Sequence, residues 1–439
     1  MCRLAFHRYN TPMGWWKKKL RARAKKRAWT KKRIAKWLAV GTSLVPVGAA
    51  LSVIAIDEMR KRRTPTIDSY PHLPPQDVEL NSDSTTIYTG AESLYKAMLV
   101  DIRSAKDYIY FEWFIMKADD VGQTFRDALF EAAARGVQVH VLIDTWGNLL
   151  NQPISFRHPQ PQPNLHWMNF PLVRTGIFTG RTRDKGRDHR KVLVVDGKIG
   201  YVGGYNIGRL YIHEWRDTHI RLEGPSAWEL DTAFVDMWNN YRKKNHPVLH
   251  RNTQYNWDSA VRAVTNAPSQ NVYPIASLYM DALGRASKRA WITMGYFIPE
   301  EPMMMALTNA AERGVDVRIL IPEYSNHIYT DWVARTHYER LLRSGVRIFL
   351  YQNAMIHAKT MTMDGQWSTV GTANIDRLSL RGNFEINMSI YHRGFADVMD
   401  KIFEFDLKNS RELDLEEWKQ RGRLARFTET VLQPFAPLL

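Results

Sequence analysis

Apolar and polar positions follow the same order at two distant places in the chain. Residues 132–144 read AAARGVQVHVLID and residues 310–322 read AAERGVDVRILIP, so eight of 13 positions are identical. In each segment a helix is expected to end at Arg-Gly, because Gly136 or Gly314 can adopt the left-handed conformation that closes a helix. The alternating apolar residues that follow predict a strand. The chain is therefore expected to contain two similar halves.

Each half also has an apolar strand pattern upstream of this repeat, at 108–116 and at 290–298. Strands that alternate with helices are typical of a sheet covered by helices, so the predicted fold class is α/β. The two halves are expected to pack as a pseudo-two-fold dimer with one site at the seam. The first half has an additional stretch, Asn148–Gly186, rich in proline, arginine and aromatic residues. We interpret it as a loop over the mouth of the site, with a plain surface insertion as the alternative.

An uncharged apolar run, WLAVGTSLVPVGAALSVIAI, precedes both halves at residues 37–56. Twenty residues are enough to cross the roughly 30 Å hydrocarbon core of a bilayer as a helix. The run therefore predicts one transmembrane helix, and the alternatives are a cleaved signal peptide and a buried core helix. Residues 64–84 carry four prolines and no apolar periodicity, which predicts a linker.

The charge of the chain is concentrated in front of the apolar run. The formal net charge is +16, but residues 1–36 contain fourteen Lys and Arg and no Asp or Glu. The remainder carries 47 basic and 45 acidic residues, and this near neutrality argues against a nucleic-acid-binding protein. The positive-inside rule places the tail in the cytoplasm. The single cysteine, Cys2, excludes an intrachain disulfide and a cysteine metal cluster.

These patterns divide the chain into six segments. The predicted order is a basic cytoplasmic tail (1–36), a transmembrane helix (37–56), a linker (57–90), a first half (91–245), a second half (246–410) and a C-terminal tail (411–439).

A second repeated pattern carries the candidate chemistry. Each half contains the motif HxKxxxxD. A glycine follows seven residues after the Asp of the motif, and an asparagine follows ten residues after it. A carboxylate residue lies eleven residues beyond that asparagine. The first copy, centred on 183–210, supplies His189, Lys191, Asp196, Asn206 and Asp217, and the second copy, centred on 351–378, supplies His357, Lys359, Asp364, Asn374 and Glu385. One HxKxxxxD match is weak, but two copies that agree on the later positions are specific.

The spacing within the pattern suits a phosphate group. Residues i and i+2 of a strand share a face, so each histidine is expected beside its lysine. An imidazole can attack or protonate, and an ammonium can hold a phosphate oxygen. The asparagine amide can donate to the phosphate, and a carboxylate can fix the tautomer of a histidine. His213 and His219 have no counterpart in the second half and are interpreted as core or surface residues. His327 and His337 are expected on helix surfaces.

At these residues the sequence resembles the phospholipase D superfamily, whose signature is two HxKxxxxD motifs followed by Gly and Asn. It is similar in particular to the bacterial cardiolipin synthases, through DHRKVLVVDGKIGYVGGYNIG at 188–208, WRDTH at 215–219 and HAKTMTMDGQWSTVGTANIDRLSLRGNFE at 357–385. The resemblance covers roughly residues 88–439. That group often has two N-terminal membrane segments, whereas this chain has one apolar run.

The resemblance implies a reaction. One histidine attacks a lipid phosphorus to form a phosphohistidine, and the other protonates the departing alcohol and then deprotonates the incoming one. By this resemblance His189 is the nucleophile and His357 the acid and base. For a cardiolipin synthase, phosphatidylglycerol is donor and acceptor, and glycerol leaves. No metal and no cofactor is expected, because lysines and asparagines supply the charge stabilisation.

The resemblance also implies roles for the other residues of the motif. Lys191, Lys359, Asn206 and Asn374 are expected to bind phosphate, Asp217 and Glu385 to orient the histidines, and Asp196 and Asp364 to secure the motif.

Three classes of function compete: an enzyme that acts on lipids, a nuclease and a non-catalytic membrane-binding protein. Transfer between lipids is favoured, and hydrolysis by a phospholipase D is its main rival, because water and an alcohol can resolve the same intermediate. A nuclease and an inactive membrane-binding protein are less favoured. The expected partner is an anionic phospholipid membrane and the expected location is the bacterial inner membrane. Neither nucleic acid nor an obligate protein partner is expected.

Overall fold

The computed structural model describes residues 70–150, 152–171, 186–251 and 258–433, together with positions 48, 52, 55, 56 and 59. The predicted tail (1–36) and most of the predicted transmembrane helix (37–56) lie outside these residues. Within the described part of the chain, no helix is long and apolar enough to cross a bilayer. The chain divides into two compact units, residues 1–61 and 62–439, and both halves of the repeat lie in the second unit.

The first half is built on an eight-stranded sheet. The strands of this half are β1 (Gln76–Glu79), β2 (Ser84–Tyr88), β3 (Tyr108–Trp113), β4 (Gln138–Asp144), β5 (Leu165–Phe170), β6 (Lys191–Val195), β7 (Ile199–Gly203), β8 (Trp215–Arg216) and β9 (His219–Glu223), of which β8 lies outside the sheet. The helices of this half are α1 (Ala91–Ser104), α2 (Asp120–Ala134), α3 (Thr145–Asn148), α4 (Ile154–Arg157), α5 (Arg209–His213) and α6 (Ala227–Tyr241).

The second half is built on a second eight-stranded sheet. The strands of this half are β10 (Val261–Asn266), β11 (Arg289–Met294), β12 (Asp316–Pro322), β13 (Arg347–Tyr351), β14 (Met355–Ile356), β15 (Lys359–Met363), β16 (Trp367–Gly371), β17 (Glu385–Tyr391) and β18 (Ser410–Glu412), of which β14 lies outside the sheet. The helices of this half are α7 (Pro274–Arg285), α8 (Glu301–Glu312), α9 (Ile328–Arg343), α10 (Arg377–Arg381), α11 (Arg393–Leu407), α12 (Leu415–Lys419) and α13 (Arg423–Leu432), with a 3₁₀ turn at Pro268–Gln270.

Seven strands follow the same spatial order in both sheets. The first sheet runs β2-β9-β7-β6-β3-β4-β5, and the second runs β10-β17-β16-β15-β11-β12-β13. In each, two parallel pairings follow the central strand, and an antiparallel hairpin lies on its other side. Gly136 and Gly314 have φ angles of +97° and +90°, so both helices end as the repeat predicts. The predicted α/β fold with two similar halves is confirmed.

The two sheets share a hydrophobic core. Apolar side chains from both halves pack together there, around helices α6 and α11. The rings of Phe170 and Phe384, which belong to different halves, lie 5.8 Å apart in this core. Along each strand, the residues that face this shared core alternate with residues that face the outer helices. This is expected for sheets that are covered on both faces. The halves therefore form one folded unit.

The prediction of a linker over residues 57–90 is wrong for the second part of this range. Strands β1 and β2 pair there as an antiparallel hairpin, with Gln76 opposite Ile87, and β2 continues the first sheet beside β9. The buried residues Val78 and Ile87 provide the apolar side of this hairpin. The prolines that suggested a linker precede the first strand, where a missing N–H costs no sheet hydrogen bond.

The predicted loop Asn148–Gly186 also contains regular structure. Helix α4 lies within it, and β5 pairs in parallel with β4 as the edge strand that matches β13 of the second half. Its buried residues Leu165, Met168 and Phe170 cover part of the core. The predicted C-terminal tail (411–439) holds α12 and α13, whose residues lie against α9; Arg335 of α9, for example, pairs with Glu429 at 3.2 Å.

A buried ion pair joins the halves beside the shared core. Arg216 of the first half donates from Nε and Nη2 to the carboxylate of Asp406 on α11, at 3.0 and 2.7 Å. Both side chains are almost fully buried, and Arg216 also donates to Thr218 at 3.0 Å. Removal of one partner from such a pair leaves a buried charge without compensation.

We expect Asp406→Asn to lower the free energy of unfolding by about 3–5 kcal/mol, because Arg216 would keep its charge in an apolar setting. The measurement is the shift of the denaturation midpoint in guanidinium chloride. Asp236→Asn is the matched control, since the Asp236–Arg251 pair is solvent-exposed and is expected to contribute about 0–1 kcal/mol. Equal shifts in the two variants would contradict the expectation.

Candidate active site

The two motif histidines occupy matching positions immediately before strands β6 and β15. His189 lies two residues before Lys191, and His357 two residues before Lys359, so each lysine is the first residue of its strand. Both lysines are fully buried. Each Nζ donates to the carbonyl oxygen of its own histidine, at 2.7 Å for Lys191. The structure thus brings the four residues together as two equivalent pairs.

Each histidine pairs with the carboxylate of the opposite half. His189 Nδ1 lies 3.0 Å from both oxygens of Glu385, and His357 Nδ1 lies 2.7 Å from Oδ2 of Asp217. Both carboxylates are buried. A proton on Nδ1 that donates to the carboxylate leaves a lone pair on Nε2 of each ring. Neither half therefore holds a complete histidine–carboxylate pair by itself.

The backbone enforces this crosswise pairing. Strand β14, which leads to His357, pairs in parallel with β8, which leads to Asp217, and the amide of His357 donates to the carbonyl of Arg216 at 2.7 Å. Reciprocally, the amide of His189 donates to the carbonyl of Phe384 at 3.0 Å. Each histidine is thus tied by its main chain to the residue directly before its partner carboxylate. This reciprocity is expected of two halves related by a pseudo-two-fold axis.

Small residues make room for the carboxylates. A Cβ on Gly204 would lie 2.1 Å from Oδ1 of Asp217, so no larger residue fits there without displacing the carboxylate. The matching position in the second half is Thr372, whose hydroxyl donates to Oε2 of Glu385. The amide of Thr218 donates to Oδ1 of Asp217 at 2.7 Å. Both carboxylates are therefore held by a second contact besides the histidine.

Burial shifts the pKa values of both histidines, both lysines and Asp217. It lowers the pKa of His357 well below its ordinary value, and the charges of Lys359 and Lys191 lower it further. Burial also lowers the pKa of His189, although Glu385 opposes this. Burial lowers the pKa of Lys191 to about 8 and of Lys359 to about 7, and raises the pKa of Asp217 to about 6. At pH 7 both imidazoles are therefore neutral, Lys191 is mostly protonated and Lys359 is about half protonated.

The two motif asparagines hold the loops that follow the central strands. Oδ1 of Asn206 accepts from the amide of Ile115 at 3.2 Å, and Oδ1 of Asn374 accepts from the amide of Tyr296 at 3.1 Å. Both asparagines are buried. Because the oxygen of each amide is fixed by the backbone, the NH₂ end is the part that can donate to a phosphate oxygen.

The aspartates that end the two motifs lie away from the histidines. Each follows its five-residue strand, so each is roughly 16 Å along the chain from the lysine at the other end. Their φ angles are +51° and +53°. The carboxylate of Asp196 accepts from the amides of Lys106, Asp107 and Tyr108, and that of Asp364 accepts from the amides of Ser287, Lys288 and Arg289. Asp196 and Asp364 therefore each bind a turn at the end of the strand that lies away from the histidine.

Aromatic rings surround the histidines. The ring of Phe114 lies 4.6 Å from that of His189, edge to face. Trp215 and Tyr296 lie 4.7 and 5.7 Å from the ring of His357, also edge to face. These rings restrict the imidazoles to one orientation and lower the polarity around them. The side chain of His189 is 11% exposed and that of His357 is 4% exposed.

A buried charge cluster behind His189 was missed by the sequence reasoning. Arg190 donates twice to Glu112 at 2.8 Å, and both side chains are buried. The neighbouring Asp188 is fully buried, and burial together with Glu112 raises its pKa well above the ordinary value. No sequence signal marks this cluster, because the equivalent positions of the second half, Thr293, Ala358 and Ile356, are uncharged.

Two histidines outside the motifs also lie near the site. His219 is fully buried and stacks on Trp113 at 5.7 Å, in agreement with the core interpretation. The ring of His327 lies 5.7 Å from that of Tyr296, and its charge lowers the pKa of His357. His327 precedes helix α9 rather than lying along its surface, so the helix-surface prediction is wrong for this residue.

This arrangement suits two-step transfer of a phosphoryl-containing group. One neutral imidazole can attack phosphorus, and a second on the opposite half can exchange a proton with the departing and arriving oxygens. Two buried ammonium groups and two amide NH₂ groups can stabilise negative charge on the phosphate oxygens.

Comparison with known proteins gives matches over most of the chain. The family described as "Cardiolipin synthase, PLD-like domain" matches residues 98–238 and 279–407. The sequence is 33% identical to the major cardiolipin synthase of Bacillus subtilis over 368 residues, which cover 81% of this chain and 76% of that protein. It is 31% identical to a cardiolipin synthase of Clostridium perfringens strain SM101 over 384 residues, which cover 82% and 80% of the two chains.

The fold is also similar to a solved structure. The phosphatidylserine synthase of Haemophilus influenzae superposes with a TM-score of 0.61 over 83% of this chain and 95% of that chain. The sequences are 15% identical, so this likeness concerns the fold alone.

Proposed function

The chain belongs to the cardiolipin synthase family with a phospholipase D-like domain, and we propose that it transfers a phosphatidyl group between two phosphatidylglycerol molecules, forming cardiolipin and releasing glycerol. The observation that carries this proposal is the pair of crosswise contacts, His189 with Glu385 and His357 with Asp217. These contacts provide two activated imidazoles for one phosphate.

In the first step, Nε2 of His189 attacks the phosphorus of the donor lipid. A nitrogen–phosphorus bond forms, and the bond from phosphorus to the oxygen of the headgroup glycerol breaks. His357 gives that oxygen a proton, and glycerol leaves. The donor brings a negative charge between Lys191 and Lys359, whose charges otherwise lower the pKa of His357. Substrate binding therefore raises this pKa and allows His357 to carry the proton, while Asp217 stabilises the cationic ring.

In the second step, the terminal hydroxyl of another phosphatidylglycerol replaces glycerol. His357, now neutral, takes the proton of that hydroxyl, the new oxygen–phosphorus bond forms, and the bond to His189 breaks. Lys191, Lys359, Asn206 and Asn374 are assigned to the phosphate oxygens in both steps. Water in place of the lipid hydroxyl would give phosphatidic acid by the same chemistry.

The expected products follow from this scheme. Purified full-length protein in vesicles of phosphatidylglycerol, in buffer with excess chelator, should give cardiolipin and free glycerol in about equal amounts, with little phosphatidic acid. Lipid mass spectrometry and an enzymatic glycerol assay measure both. Phosphatidic acid as the chief product would favour the hydrolase, and loss of activity restored by one particular divalent ion would contradict the metal-free scheme.

The N-terminal region is assigned to membrane attachment. We propose that residues 37–56 cross the bacterial inner membrane and that the basic tail (1–36) stays in the cytoplasm, followed by a short linker. Full-length protein should then resist extraction from membranes by alkaline carbonate, whereas a variant lacking residues 1–61 should be extracted. Equal extraction of both proteins would remove the transmembrane assignment and leave the catalytic proposal intact.

A further inference from the structure

Exposed apolar residues follow strand β4 of the first half. Trp146, Leu149, Leu150 and Ile154 lie within nine consecutive positions and are all solvent-exposed. Leu150 is 96% exposed and Ile154 is 71% exposed. Exposed apolar residues that lie together on a surface mark an interaction site.

The corresponding place in the second half is also apolar. Tyr324 and Tyr329 follow strand β12, the counterpart of β4, and both are exposed. We call residues 146–150 and 152–154 the first rim segment and residues 324–329 the second rim segment. Both begin at the same end of equivalent parallel strands, which is the end where the histidines lie.

Hydrogen bonds and ring contacts connect each rim segment to a histidine. In the first, Asn148 donates from Nδ2 to the carbonyl of Phe114 at 2.7 Å, and the Phe114 ring contacts His189. In the second, the hydroxyl of Tyr296 donates to Oδ1 of Asn326 at 2.5 Å, and the Tyr296 ring contacts His357. Each rim segment is thus one side chain away from the reacting groups, and the two segments flank the site from opposite halves.

Positive charge accompanies the apolar residues. The guanidinium of Arg187 lies 4.5 Å over the ring of Trp146, next to the motif that contains His189. An aromatic ring beside a cation, followed by exposed leucine and isoleucine, matches the polar-to-apolar gradient from anionic headgroups to acyl chains.

We propose that the two rim segments insert into the surface of an anionic phospholipid bilayer and so place the site directly over lipid headgroups. This inference rests on the proposed function. A lipid phosphate can then reach His189 while its acyl chains stay in the bilayer. The site is expected to take its substrate from the membrane plane, with Leu150 and Ile154 as the deepest residues of the first segment.

The test compares one enzyme on two forms of the same substrate. In full-length protein, Leu150→Ser combined with Ile154→Ser should lower the rate on vesicles of long-chain phosphatidylglycerol by about 10-fold or more, because less apolar area is buried in the bilayer. The rate on dihexanoyl phosphatidylglycerol below its micelle concentration should stay within about two-fold of the unsubstituted enzyme. Val100→Ser combined with Val248→Ser is the matched control, since both valines are exposed but lie outside the rim.

A second measurement reports insertion without catalysis. The chain has one cysteine, so Cys2→Ser with Leu150→Cys allows an environment-sensitive fluorophore to be attached at position 150. Its emission should shift to the blue on phosphatidylglycerol vesicles and be quenched by brominated lipid, whereas a fluorophore at position 100 should not respond.

The outcomes separate the two proposals. Unchanged vesicle rates in the rim variant, or equal losses on vesicles and monomers, would overturn docking by the rim. A blue shift that depends on protein concentration without lipid would also overturn it, in favour of a second copy of the chain. If the unsubstituted enzyme transfers no phosphatidyl group on either substrate, the proposed function fails, and the fluorophore still decides the docking question.

Discussion

Replacement of either motif histidine by alanine should lower the rate of cardiolipin formation by on the order of 10⁴-fold or more. His189→Ala removes the atom that is proposed to bond to phosphorus, and His357→Ala removes the group that is proposed to move the proton. Because both histidines face one phosphate in the proposed scheme, neither half can compensate for the other. Retention of half the turnover in either variant would contradict a shared site.

A substrate with a better leaving group should separate the two roles. Phosphatidyl-p-nitrophenol releases a phenolate that needs no proton, so loss of a general acid should matter much less for this compound. His357→Ala should therefore still release about one equivalent of p-nitrophenol per enzyme in a rapid phase, whereas His189→Ala should release none. Chromatographic mobility and thermal midpoint of both variants serve as folding controls. A rapid phase in His189→Ala alone would exchange the assigned roles.

Substitution of the two carboxylates should cause the next largest loss of turnover after substitution of the histidines. Asp217→Asn and Glu385→Gln should each lower turnover by on the order of 10³-fold, because an amide does not stabilise a cationic imidazole and favours the wrong tautomer. The crosswise geometry adds a more specific expectation. In protein labelled with ¹⁵N-histidine, Asp217→Asn should alter the Nδ1–H signal of His357 and leave that of His189 in place, and Glu385→Gln should do the reverse. Signals that change within the same half would contradict the structure.

The protonation of Asp217 determines how kcat/KM should change at acidic pH. Burial raises its pKa to about 6, so the carboxylate is charged above that pH and neutral below it. In the free enzyme, kcat/KM should therefore fall as the pH drops through about 6, and this acidic limb should be missing in Asp217→Asn. On the alkaline side kcat/KM should fall as Lys359 loses its proton, since burial lowers its pKa to about 7. Conversion of Lys359 to arginine should shift that limb upward or remove it.

The repeat and the residues of the site were accessible from sequence because they recur. Two copies of a spaced motif select His189, Lys191 and their counterparts without any structure. Pairing across the seam was not accessible, since spacing alone associates each carboxylate with the histidine 28 residues before it. The contacts join His189 to Glu385 over 196 residues and His357 to Asp217 over 140 residues. Such long-range pairs are set by how the halves dock.

Elements without local signals were missed for other reasons. Strands β1 and β2 are short and follow a proline-rich segment, so their alternation was too brief to outweigh the turn residues. Strand β5 alternates only weakly, because it is an edge strand whose intermediate residues face solvent in part. Arg216 and Asp406 carry no periodic signal at all, and a charged residue in a sequence is normally expected at the surface. Only the fold reveals that these two charges neutralise each other in the interior.

The crosswise pairing also determines when the enzyme becomes active during its own synthesis. A ribosome adds about 5–20 residues per second from the N-terminus, so His189 is complete roughly 10–40 s before Glu385 exists. During this interval the first half has a potential nucleophile but no carboxylate to fix its tautomer, and no second imidazole. A growing or prematurely terminated chain is therefore expected to be inert towards phospholipids. Reactivity is expected only when the second half is finished and has docked, so completion of the chain prevents premature attack on phospholipids.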